Sequence, residues 1–262
     1  MAHNRLPSDG DKLAYNFFGG RVQNTVSRNV RAAEEQLRRI EEDPIPKPPS
    51  LMQVNAFFNT QPLQAENVIS VNHLTKCWGA HCVLRDVSFT VGPRDRILLF
   101  APNGAGKTTL LKLIMGLEQP DDGAIRIAES ARPGYLPQDP QLDLRKTVIE
   151  SYRYGQVGYE SEFIGRLIGY GLFRLEDMHK QVGQLSLGQR RKLEIARLMA
   201  AGPNALLLDE PTNYISLDVL EAFESAMLDF PGPIIAASHD RWFIQRFGGI
   251  LWRLEDGKIL HE

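Results

Sequence analysis

One run of residues in this sequence has the types and spacing for triphosphate chemistry. Ala101-Pro102-Asn103-Gly104-Ala105-Gly106-Lys107-Thr108-Thr109 stands between a short apolar stretch, Arg96–Phe100, and a helical period over Thr108–Met115. A strand, a glycine-rich loop and a helix in that order make a phosphate loop. The glycines let backbone N–H groups curl round phosphate oxygens, and the helix start adds the positive end of its dipole. Lys107 is placed to reach the β and γ phosphates, and Thr108 to offer its hydroxyl to Mg²⁺. Asn103, Gly104, Ala105, Gly106 and Thr109 complete the nucleotide cradle. Ala101 stands where such loops usually begin with glycine, a change that costs stability only if the position needs positive φ.

A second run supplies carboxylates. Ala205–Leu208 reads as a buried strand that delivers Asp209 and Glu210 to its exposed end. Taken alone, it is a strand ending in solvated acids. Beside a phosphate loop, Asp209 becomes a ligand for Mg²⁺. Glu210 becomes the general base that polarises an attacking water. Three shorter signatures accompany the pair: Leu185-Ser186-Leu187-Gly188-Gln189 before a helix over Arg190–Met199, Tyr135-Leu136-Pro137-Gln138 between the phosphate loop and that segment, and Ser238-His239-Asp240 after the next strand. Each is weak singly, since a lone histidine after a strand is usually structural. Their joint order is specific.

In that order the motifs resemble the ATP-binding cassette ATPases over residues 67–262. The resemblance implies an α/β P-loop core with an antiparallel β subdomain and a helical subdomain over about 139–200. It implies ATP and Mg²⁺ as cofactors. Trp78 stacks on adenine in place of the tyrosine common there. Gln138 touches Mg²⁺ and the water, and couples the core to the helical subdomain. His239 contacts the γ-phosphate. Ser186 and Gly188 contact the nucleotide held by an opposing cassette, and Gln189 of the same signature counts among the nucleotide-binding residues. Asp218 lies at the interface between cassettes. In this family two cassettes sandwich two ATP molecules head to tail, so the implied partner is a second cassette, either a second copy or one on a missing N-terminal half. Leu187 stands where the family usually has glycine.

These residues need elements to position them. Strands are expected at Val68–Val71, Val83–Val91, Arg96–Phe100, Ala205–Leu208 and Pro233–Ser238, rich in apolar residues and bounded by glycine, proline or polar residues. Residues 146–200 read as mostly helical, and Ile250–His261 as a hairpin round Asp256-Gly257. Alternating strands and helices with a helical insert imply an α/β core. Ahead of it, residues 1–20 read as a polar leader and 21–66 as a linker. Within the linker, Val22, Val26, Val30, Ala33, Leu37 and Ile40 form one helical stripe over Arg21–Glu42. The prolines of Asp43–Pro49 stop that helix and extend the chain. An amphipathic helix of this length normally has a partner, and none precedes it, so the chain reads as beginning midway through a helical hairpin.

The 262 residues carry a formal net charge of −2, which gives no global basic field for nucleic acid. No stretch approaches the roughly 20 apolar residues needed to span a bilayer, and no signal-peptide core is present. The expectation is a cytoplasmic protein with no membrane insertion of its own. Its two cysteines, Cys77 and Cys82, are expected as reduced thiols flanking a turn. Among cassettes, the chain looks most like the second cassette and partial linker of an ABC-F translation or antibiotic-resistance protein. Glu210-Pro211-Thr212-Asn213 has that family's asparagine, and the charged helix with its proline exit resembles the family's interdomain arm, which reaches toward tRNA on the ribosome. Tyr214-Ile215-Ser216 replaces the family's usual histidine with a longer loop, a form similar to macrolide- and lincosamide-type resistance members. Two other readings remain: the ATP-binding subunit of a membrane transporter, and a nucleotide-gated dimerisation module with little turnover.

Overall fold

A computed structural model of the chain describes residues 63–261, together with Glu35, Arg38, Phe58 and Thr60. Glu35 and Arg38 are helical and exposed. The expected polar leader, the rest of the linker helix and the proline run lie outside the described residues.

Three strands form an antiparallel sheet. β1 (Ile69–Trp78) is central, with β2 (His81–Val91) on one side and β4 (Asp122–Ile127) on the other. One face carries Ile69, Val71 and Leu74 of β1 and Val87, Phe89 and Val91 of β2, all buried. β1 runs well past the expected Val68–Val71. Its alternation breaks at His73, which has a left-handed φ of 51°, and the pairing with β2 shifts register there. A period-two reading stops at such a break although the strand does not.

The same pairing overturns the expectation for the cysteines. Cys77 and Cys82 face each other across β1 and β2 and are joined as a disulfide. The hairpin turn is short enough to place the two residues in register, which a count of cysteines does not reveal.

The second sheet holds β5 (Pro133–Leu136), β6 (Ala205–Asp209), β7 (Ile234–Ala237), β3 (Arg96–Phe100) and β8 (Ile250–Glu255), in that spatial order and all parallel. β9 (Lys258–His261) closes the edge antiparallel to β8. The inner strands are unbroken apolar runs because both faces are covered. Alternate residues go to opposite sides. Ile97, Leu99, Leu207 and Ile235 pack toward the antiparallel sheet with α1 (Lys107–Ile114), which buries Leu110, Leu111, Leu113 and Ile114. Leu98, Leu206, Leu208 and Ile234 pack toward the helical part. Each fully buried aliphatic side chain contributes about 2 kcal/mol.

The helical part comprises α2 (Val148–Tyr152), α3 (Glu160–Gly169), two 3₁₀ turns and α4 (Leu187–Ala200). Thr147 and Glu150 cap α2 reciprocally, and Ser186 and Gln189 do the same for α4. After β6 come α5 (Leu217–Leu228) and, beyond β7, α6 (Arg241–Phe247), whose start is capped by the Asp240 carboxylate. The fold is an α/β core with an antiparallel β part and a helical part.

Candidate nucleotide-binding site

The phosphate loop leaves β3 at Phe100 and enters α1 at Lys107. Ala101 is buried and has no positive φ, so alanine replaces the customary glycine without strain. The demand for glycine falls further along. Gly104 and Gly106 sit at φ of 81° and 110°. A Cβ on Gly106 would lie 3.1 Å from both the Cβ and the carbonyl of Val83. No side chain caps α1 and no acid lies in its first turn, so its first N–H groups and dipole end stay open to an anion. Lys107 is buried, with Nζ 2.7 Å from the Ala101 carbonyl and 4.0 Å from Glu210 Oε1. Asn103, Gly104 and Ala105 line a cleft of about 940 Å³ with Cys82, Val83 and Arg253, flanking the loop. The acid pair lies outside that lining.

Asp209 and Glu210 end β6. Asp209 is fully buried, and among the described residues neither of its carboxylate oxygens has a partner at full hydrogen-bond geometry, the Thr108 hydroxyl lying nearby. Burial pushes its pKa up; the Thr108 hydroxyl, Lys107 and Arg191 oppose that shift, and the Glu210 charge adds to it. An orphaned buried carboxylate beside a threonine hydroxyl is a hard oxygen donor set that fits Mg²⁺. Glu210 is also buried, and its φ of 47° is left-handed, a strained conformation for a residue with a side chain. Its surroundings hold it there. The Glu210 N–H donates to the Ala237 carbonyl at 2.8 Å, and its own carbonyl accepts from Asn213 and Arg191. The result is a carboxylate whose Oε1 lies 2.8 Å from His239 Nδ1. Lys107, Thr108, Asp209, Glu210 and His239 therefore come together at the ends of β3, β6 and β7.

Arg191 escaped the motif reading. It is fully buried, and its guanidinium donates to the Glu210 carbonyl at 3.1 Å, the Asp209 carbonyl at 3.4 Å and the Pro137 carbonyl. Glu194, one turn along α4, faces Arg191 at 3.4 Å and accepts from the Gln141 N–H at 2.8 Å. Burial lowers the pKa of Arg191 and raises that of Glu194. The signal was present: two opposite charges three apart fall on the stripe of α4 that also buries Leu198.

The remaining site residues are placed apart. Gln138 follows β5 and is exposed, next to the Pro137 carbonyl that Arg191 holds. Ser186 and Gln189 bond each other at the start of α4, and none of their hydrogen bonds reaches the phosphate loop. Gly188 faces the Tyr214 carbonyl, which a Cβ there would meet at 3.1 Å. Leu187 is exposed in the first turn of α4, and Asp218 is exposed in the first turn of α5. Trp78 ends β1, half exposed, with Lys76 Nζ 4.9 Å from its ring centre.

A parallel sheet with a glycine loop running into a helix, and acids at the end of a neighbouring strand, defines a P-loop nucleotide-binding protein. Residues 84–213 match the ABC transporter family, and the chain belongs to the ATP-binding cassette ATPases. It is 37% identical over 209 residues to the energy-dependent translational throttle protein EttA of Escherichia coli K12, covering 78% of this chain and 38% of that protein. It is 32% identical over 248 residues to the tylosin resistance ATP-binding protein TlrC of Streptomyces fradiae, covering 92% of this chain and 43% of that one. The chain thus spans well under half the length of these curated relatives. Among solved structures, an ATP-binding subunit of an ABC transporter superposes with a TM-score of 0.65 at 27% identity, covering 74% of this chain and 89% of that one. Among the described residues, no helix is long and apolar enough to cross a membrane.

Proposed function

We propose that the chain binds and hydrolyses ATP as one cassette of an ABC-F protein acting on the ribosome. The observation that carries the hydrolytic reading is the buried Glu210 carboxylate, held in a strained backbone conformation against His239 beside Lys107. The reaction is ATP + H₂O → ADP + phosphate. Lys107 binds the β and γ phosphates, and the open start of α1 receives their charge. Thr108 and Asp209, with Gln138 as a further oxygen donor brought in from its loop, would hold Mg²⁺, which when bound neutralises charge on the phosphates. Glu210 orients a water for in-line attack on the γ-phosphorus and accepts its proton. His239 keeps the carboxylate aimed and faces the γ-phosphate. Trp78 offers its exposed part to adenine. Residues 67–262 form the ATPase unit, with its helical part within about 139–200.

Ser186, Gly188 and Gln189 lie apart from the phosphate loop of their own chain, which supports a composite site completed by a second cassette. That cassette is a second copy or the N-terminal half of a longer protein. The ribosome enters through the likeness to a translational throttle protein and a tylosin resistance protein, and through Asn213 and the linker sequence. A cytoplasmic location goes with that reading.

Two experiments test the two layers. Lys107→Ala is expected to abolish ATP binding, whereas Glu210→Gln keeps binding and loses turnover; parental turnover in the glutamine variant would remove Glu210 as base. For the partner, the Glu210→Gln chain is sedimented with ribosomes with and without ATP. ATP-dependent pelleting supports the ribosome assignment. Absence of pelleting, with ATP still bound, turns the reading toward a transporter subunit or a dimerisation module.

A further inference from the structure

The buried Arg191–Glu194 pair belongs to none of the motifs, yet it touches both segments that carry the hydrolytic groups. Arg191 grips the Pro137 carbonyl at one end of the Gln138 loop, and Glu194 takes the Gln141 N–H at the other. The same guanidinium takes the Asp209 and Glu210 carbonyls at the end of β6. Both segments, the Gln138 loop at its two ends and the end of β6, are thereby fixed to α4, the helix capped by Ser186.

Packing alone does not explain an ion pair here. An apolar side chain of similar volume commonly stabilises a core as well as a buried pair does, because taking both charges out of water is costly. The guanidinium nevertheless does what no apolar group does: it presents donors in a planar fork to carbonyls on two different segments. One of those carbonyls belongs to Glu210, whose left-handed φ needs external support.

We propose that Arg191 is a positioning residue for hydrolysis. It sets the Gln138 loop and the Asp209–Glu210 step as one unit on α4, so that a movement of the signature at the start of that helix shifts both together. The proposal rests on the hydrolytic reading above.

The test uses the full chain carrying Arg191→Lys, which keeps the charge and loses the fork. Amide hydrogen exchange, which does not need turnover, is read first. Exchange is expected to quicken about tenfold or more across Pro137–Gln141 and Asp209–Asn213, while Leu193–Leu198 within α4 stays as in the parent. Unchanged exchange in those two segments, or equal loosening throughout the core, overturns the proposal. Turnover is then read: kcat falls about 100-fold, the loss expected when a reacting group is displaced by about an ångström, with KM for ATP within about twofold. Lysine restoring parental turnover would mean that charge alone suffices, and overturns it as well. In Arg191→Lys/Glu210→Gln the two losses should not multiply, because Arg191 acts through Glu210; multiplication overturns it. Should the lysine variant not fold, Glu194→Gln keeps an oxygen for Gln141 and removes the charge facing Arg191, and the same local loosening is expected. A parental chain without turnover points to a missing second cassette, and the exchange result then decides the role of Arg191.

Discussion

The imidazole Nδ1 of His239 lies 2.8 Å from Oε1 of Glu210, and the His239 backbone N–H lies 3.4 Å from the other oxygen of that carboxylate. One residue thus addresses both oxygens. The carboxylate is buried while most of the imidazole is exposed, so the histidine reaches from the open side of the site onto a fixed acid. His239→Ala should leave ATP affinity within about threefold and lower kcat by about 100-fold, the low end of the range for an acid–base group. Equilibrium binding beside steady-state turnover checks this. Equal losses in affinity and turnover would make His239 a binding residue only.

Asp209 gives a prediction in which stability and function move in opposite directions. The fold holds its pKa above the unfolded value, chiefly through burial. The protonated form therefore contributes stability that is fully present below the unfolded pKa and lost as pH rises through the folded one. At neutral pH, without metal, ionised Asp209 costs stability. Asp209→Asn should raise the melting temperature in EDTA at pH 7.5 by about 2–4 °C, which corresponds to roughly 1 kcal/mol. The gain should fade through about pH 4 and vanish below about pH 3, where aspartate is mostly protonated in both states. Mg²⁺-dependent turnover should be lost. Thermal melts at the two pH values decide it, and a lower melting temperature at pH 7.5 would show that Lys107 and Arg191 already compensate the charge.

The phosphate loop separates two kinds of small residue. Gly106→Ala adds a Cβ at φ of 110° and 3.1 Å from Val83. It should cost about 1–3 kcal/mol and sharply weaken ATP binding, because the N–H groups that follow it shift. Ala101→Gly removes a methyl at a buried position without positive φ and should cost about 1 kcal/mol with little change in affinity. Denaturant melts and nucleotide titration on both variants test the pair. Comparable affinity losses would mean that Ala101 also shapes the cradle.

Most of the core was legible because its signals are local. The strand Arg96–Phe100, the loop and the helix follow one another in sequence, and the expected Ala205–Leu208 strand needed only its run of apolar residues to be read. The acid pair followed from its place after that strand. What stayed hidden depends on pairing between distant segments. The continuation of β1 past His73 rests on partners in β2 and β4. The disulfide rests on the register of one hairpin. The spacing of Arg191 and Glu194 hints at a buried pair on one helix stripe, but only the approach of the Pro137 and Glu210 carbonyls, from different segments, gives Arg191 a role. The left-handed φ of Glu210 has no sequence signal, since the residue type argues against it.

The adenine platform supplies the last test. Trp78 lies between Cys77 and Cys82, so the disulfide closes the short loop that carries it. Lys76 covers one face of the ring at 4.9 Å, and the Asp121 carboxylate accepts from both Lys76 Nζ and the Cys77 N–H. The indole is therefore held from behind and along its backbone, with about half of the residue exposed. Ellman's reagent should find no free thiol before reduction and two after it. Reduction gives the loop back some of its freedom, and ordering it again on binding should cost about 1 kcal/mol, which corresponds to about a fivefold loss in ATP affinity. Trp78→Ala should lose more and become insensitive to reductant. Fluorescence titration of the oxidised and reduced chain, with Cys82→Ser as the permanently open form, makes the comparison. Equal affinity in all three would mean that β1–β2 pairing alone fixes the platform.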